Sequence, residues 1–260
     1  MTHKPLLLGL TLALGTLLAP ARTARAQSCT NINAVPYTIT SPGRYCLSAD
    51  LSTSQTSGAA VEIAANDVTL DLQGRTLSNL GAGVATQAEG VHARDRRNIV
   101  VRNGRIVGFF TGVHLDILSD SRNHVIEGLR VEQSRFRGIK IEGYDNIVRN
   151  NLIRDTGGGG THPDGMTACD NQYNGSVQAL NNTIINVGVG EPDSSPDGMM
   201  LYCFTSVAIG NRLVNVGDSG IAVAGGYCKD NVMQQVWGRP YDPSNGNGCT
   251  LIGSTNFNYP

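Results

Sequence analysis

The sequence predicts an all-β solenoid of stacked coils, from three observations. A short phrase recurs at loose intervals, its apolar residues fall on alternate positions, and the chain is rich in Gly and poor in aromatics. Gly and Asn suit tight turns because both reach positive φ easily, so this composition favours many short strands over a large aromatic core. No segment carries a sustained helical period.

The phrase is Gly-apolar-x-apolar. It occurs as Gly90-Val-His-Ala, Gly112-Val-His-Leu, Gly138-Ile-Lys-Ile, Gly165-Met-Thr-Ala, Gly198-Met-Met-Leu and Gly220-Ile-Ala-Val, at intervals of 22, 26, 27, 33 and 22 residues. An earlier coil uses Val61-Glu62-Ile63. In the six copies the positions one and three after Gly are apolar throughout, from Val91 and Ala93 to Ile221 and Val223. With a strand period of two they share one face, and stacking coil on coil makes a dry column.

A second phrase lies between the copies, built on Asn or Gly before an apolar pair, as in NIVVRNGRIVG (98–108), HVIEGLRVEQ (124–133), NIVRNNLIRD (146–155) and NNTIINV (181–187). Each coil is therefore expected to hold two or three strands.

In chain order, residues 1–26 read as a secretory signal peptide. His3 and Lys4 precede an apolar run from Leu6 to Ala19, and Ala24-Arg25-Ala26 is a small-x-small cleavage signature. The run falls short of the roughly 20 residues of a membrane span, so a secreted or periplasmic location without a membrane span is expected. Loss of Lys4, Arg22 and Arg25 takes the formal charge from −1 to −4, which argues against nucleic acid or anionic membrane as a partner. Residues 27–57 are expected to cap the first coil, 58–250 to form about seven coils, and 251–260 to trail as a C-terminal tail. A monomer is expected.

All six cysteines follow the signal, an even number that points to disulfides in an oxidising compartment. Six allow 15 pairings. Cys29 and Cys46 bracket the cap, and Cys169 and Cys203 follow equivalent strands of adjacent coils, which leaves Cys228 with Cys249; Cys203 with Cys228 is the rival.

On the two phrases, residues 58–250 resemble the right-handed parallel β-helix proteins of the pectate-lyase-like superfamily. That resemblance implies stacked parallel strands and, often, a polysaccharide partner. Asp-Gly at the head of a strand is similar to the Asn-Thr-Asp-Gly element of polygalacturonases, which would carry an acid role to Asp164 or Asp197. Here Asn-Thr is replaced by His162-Pro163 and Ser195-Pro196, and the later Asp-Asp and Gly-His-Gly elements of that family are missing.

The tetrapeptide Pro-Asp-Gly-Met occurs twice, and the register puts Asp164 and Asp197 about 4.8 Å apart on adjacent rungs. Such a pair suits acid and nucleophile work on a glycosidic bond, or Ca²⁺ held with Glu191 and Asp193, or a turn without chemistry. His162 and Arg137 are the nearest bases. The outer face of the column carries His92, His114 and Lys140, with Arg137 just before its Gly and Tyr202 further on. Lys140 and Arg137 could hold uronate carboxylates, and Lys140 or His162 could take the proton α to a carboxyl. The blander alternative is a solvated face on which Lys140 pairs with Glu142 or Asp116, and His92 and His114 stack without the further ligand a metal needs. The leading expectation is a lyase or hydrolase acting on a uronate-containing polysaccharide in a groove along this column, with Ca²⁺ as its candidate cofactor. The alternative is a non-catalytic glycan-binding or envelope module.

Overall fold

The computed structural model describes residues 28–159, 162–170, 175–189, 195–239, 241–242, 249–251 and 257–259, with side chains described up to residue 239. The expected signal peptide, together with Glu191 and Asp193, lies outside the described residues.

The chain is built of parallel β-strands in two stacked sheets, an arrangement consistent with a parallel β-helix. One sheet has nine strands: Tyr37–Ile39, Ala59–Ile63, Glu89–Arg94, Thr111–Asp116, Arg137–Ile141, Asp164–Ala168, Met199–Leu201, Ile221–Val223 and Tyr241–Asp242, in chain order. The other has 17 strands and follows two columns, because most coils break there into a pair such as Ser176–Leu180 and Thr183–Val187. Val100–Val107 and Val125–Glu132 run through both columns, turning at Asn103 and Gly128 with φ of 56° and 61°.

The register follows the recurring phrase. Val91 pairs with Val113, Val113 with Ile139, Ile139 with Met166, Met166 with Met199 and Met199 with Ile221. All twelve apolar positions of the column are buried. Gly heads each strand because the chain there presses against the next coil. A Cβ built on Gly90, Gly138 or Gly165 would lie 2.4, 2.4 and 2.7 Å from the carbonyl oxygen of the following Gly in the column. Gly90 and Val91 both face inward, so alternation shifts by one and Glu89 and His92 both emerge on the outer face.

The Asn of the second phrase forms a buried ladder. Nδ2 of Asn151 donates to Oδ1 of Asn182 at 3.0 Å, Asn182 to Asn211 at 3.1 Å and Asn211 to Asn231 at 2.9 Å. Each amide also donates to a backbone carbonyl, of Ile126, Val148, Ala179 and Ala208 in turn, which satisfies polar groups that would otherwise be costly inside a core.

Two boundaries differ from expectation. Residues 30–52 already supply strands to both sheets, and Phe257–Tyr259 pairs with Val232–Val236 rather than trailing as a tail. Both segments lack the Gly-apolar-x-apolar phrase, so their strands leave little periodic signal. Two disulfides match the expected pairs, Cys29 with Cys46 and Cys169 with Cys203. The Cys169–Cys203 bridge removes the rival pairing of Cys203 with Cys228; Cys228 is also disulfide-bonded, and the side chain of Cys249, its expected partner, lies outside the described residues.

Candidate functional site

The Pro-Asp-Gly-Met copies fall on adjacent rungs. Gly165 N–H donates to Asp197 O at 3.0 Å and Met166 N–H to Gly198 O at 3.0 Å. The Asp197 N–H reaches the Asp164 side chain itself, donating to Oδ1 at 3.2 Å.

The two carboxyls are not at the surface, contrary to the expectation of an exposed pair. Asp164 has no exposed area and Asp197 keeps 9%. Oδ2 of Asp164 accepts from Thr167 Oγ1 at 2.9 Å and from Arg137 Nε at 3.3 Å. Arg137 also donates to Asp170 Oδ2 at 2.6 Å, and its guanidinium lies over the Phe136 ring, 4.4 Å from the centroid.

Burial pushes Asp164 up to about 6, against the opposing pull of the Arg137 charge, the Thr167 hydroxyl and the Asp197 N–H. Burial and then the charge of Asp164 push Asp197 up to about 8, with hydrogen bonds from Ser219 opposing. Both carboxyls are therefore protonated more readily than an exposed aspartate, Asp197 more so because it also faces the charge of Asp164.

Lys140 does not stand free to meet a polymer. Its Nζ lies 3.1 Å from Glu142 Oε1 and 3.8 Å from Asp170 Oδ2, and the side chain is mostly buried. Arg137 is buried as well, so the expected basic strip is a neutralised network. His162 is exposed, with Nδ1 3.4 Å from Ser195 O across the two Pro-Asp-Gly-Met segments. Tyr202 is partly exposed on the rung beyond. Both oxygens of Asp164 are engaged by protein donors, and Asp197 is mostly buried and accepts hydrogen bonds from Ser219.

Two further features stand apart from the aspartate pair. His92 and His114 sit on neighbouring rungs, ring centroids 5.3 Å apart, and Glu89 joins them. Glu89 Oε1 lies 2.6 Å from His114 Nδ1 and its Oε2 3.9 Å from His92 Nε2. The shift of alternation at Gly90 is the signal that could have found it. Burial opposes the charge on His92, but the hydrogen bond it donates to Glu62 and the charge of Glu89 outweigh it and raise its pKa.

The second feature is a cleft of about 530 Å³ on the 17-stranded sheet, lined by Arg44, Arg102, Arg149, Asp67 and Glu127 among others. Asp71 accepts from Arg44 at 2.9 Å and Arg102 at 3.0 Å, while Glu127 accepts from Arg149 at 2.6 Å. These arginines come from strands far apart in sequence, so no local motif announces them. No family model, curated protein or solved structure matches the chain.

Proposed function

We propose that this is an exported protein of the right-handed, pectate-lyase-like β-helix class that acts on a uronate-containing polysaccharide by lyase or hydrolase cleavage. The observation that carries the reading is the stacked Asp164 and Asp197, two buried carboxyls on adjacent rungs whose surroundings raise both unequally, Asp197 further than Asp164. A pair divided in this way supplies a base and an acid at once. A cluster of buried ionisable groups beside it, including Arg137, Lys140 and Glu142, is costly to keep and is the kind of arrangement that function maintains. His162, exposed two residues before Asp164 and 3.4 Å from Ser195 O, is our candidate for passing a proton to solvent. The disulfides support an oxidising compartment.

A second reading, a non-catalytic glycan-binding module, is favoured by the Arg-lined cleft and by the enclosure of Asp164. The two separate in one experiment: incubation with a panel of uronate polymers, with and without Ca²⁺, followed by ultraviolet absorbance of unsaturated products and by reducing-end assay. Release of either product supports the enzyme. Binding without release supports the module.

A further inference from the structure

Along the same strand column, on the rungs ahead of Arg137, Glu89, His92 and His114 converge on the outer face. We propose that these three residues form a binding site for a divalent transition metal, of which Zn²⁺ best fits their chemistry. The site is separate from Asp164 and Asp197 and does not rest on the proposed cleavage.

The first argument is distance. One donor atom from each residue lies within 4.8 Å of the other two. Zn²⁺ with bonds of about 2.0–2.2 Å in tetrahedral geometry wants ligand atoms about 3.4 Å apart. The gap is closed by small side-chain rotations, since Glu89 already touches His114.

The second argument is the way each ring is held. His92 turns Nε2 towards Glu89 and gives Nδ1 to Glu62 Oε2 at 2.7 Å. His114 turns Nδ1 towards Glu89 and Nε2 towards Asp116 Oδ1 at 3.8 Å. Each imidazole thus faces the same central carboxylate with one nitrogen and a different carboxylate with the other. That is how histidines are oriented at metal centres, where the outer acid fixes the tautomer. Nε2 of His114 is buried and has no hydrogen-bond partner. A metal on Nδ1 would place the ring proton on Nε2, aimed at Asp116.

The third argument is rigidity. All three ligands stand on paired strands, with His92 opposite His114 in the ladder. Gly90, which brings Glu89 and His92 to one face, sits where an added Cβ would lie 2.4 Å from the Gly112 oxygen, so no side chain can replace it without moving the coil. Two imidazoles and one carboxylate suit Zn²⁺ rather than Ca²⁺ or Mg²⁺, which take oxygen ligands. The ligand side chains keep 13–23% exposure, which leaves a fourth position for water or for a carboxylate oxygen of a bound molecule.

Calorimetric titration of chelator-treated protein with ZnCl2 tests the proposal, alongside the visible spectrum after Co²⁺ addition and the melting temperature. The expected result is one ion per chain, a tetrahedral Co²⁺ spectrum and a higher melting temperature. His92→Ala, His114→Ala and the near-isosteric Glu89→Gln should each remove saturable binding, and Glu62→Gln should weaken it 10- to 100-fold. His162→Ala should bind like the parent. Circular dichroism on each variant keeps misfolding apart from ligand loss, and Glu89→Gln serves where a His variant fails to fold. Absence of saturable binding by the parent, unchanged binding by a folded ligand variant, or binding lost in folded His162→Ala would overturn the site.

Discussion

The backbone N–H of Asp197 donates to Oδ1 of Asp164, so the side chain of one rung ties down the backbone of the next. Asp164 is therefore both a candidate acid-base group and a structural clasp, whereas Asp197 is a carboxyl that its surroundings oppose.

The two aspartates should consequently respond differently to substitution. Asp164→Ala strands a buried N–H and leaves Arg137 with Asp170 alone, which should cost about 3 kcal/mol. Asp197→Asn removes a group disfavoured by burial and by Asp164, and should leave stability unchanged or raised at pH 8. Urea denaturation of both variants checks the contrast.

Stability should fall as pH rises through neutrality. The raised folded pKa of Asp164 and Asp197 means that their contribution is full below about 3.8 and is lost as pH rises through about 6 and about 8. His92, also raised, acts in the same direction. His124 is buried, donates or accepts at 2.8 Å with Ser121 Oγ and accepts from the Ile99 N–H at 3.2 Å. Burial lowers it to about 4, so its contribution is present above 6.5 and is lost as pH falls towards 4. The melting temperature should decline between pH 6.5 and 9, and Asp197→Asn should flatten that decline without abolishing it.

Gly138→Ala should be among the most damaging single changes in the column. The added methyl would meet the Gly165 oxygen and Ile153 Cγ2, both at 2.4 Å. Overpacking of this kind typically costs 1–3 kcal/mol, and the rigid carbonyl puts this site at or above about 3 kcal/mol. Thermal melting of Gly138→Ala against Gly158→Ala, where the nearest heavy atom is 4.0 Å away but φ is positive, separates the close approach from backbone strain.

The strand column was legible because it repeats. Gly supplies the tight corner, the two apolar positions supply the core, and the shared Gly supplies the register from Val91 to Val223 despite unequal intervals. The rung assignment of Asp164 and Asp197 followed from the same phrase, as did the pairing of Cys169 with Cys203. Their burial did not. A strand pattern says which way a side chain leaves the backbone, not what packs over it, so Arg137, Lys140 and Asp164 were expected at the surface. That Glu89 meets both His92 and His114 was not foreseen, because the two histidines were read as a stack without a further ligand. The Arg44, Arg102 and Arg149 cleft depends on coils distant in sequence meeting in space. The strands at 30–52 and 257–259 carry no Gly-led phrase.

The most direct test of the account is the release of products from uronate polymers at pH 7 by the parent and by folded Asp197→Asn and Asp164→Asn variants. The account predicts turnover by the parent and its loss in both variants, with circular dichroism unchanged. Full turnover by either folded variant, or no cleavage of any polymer in the panel by the parent, would contradict it.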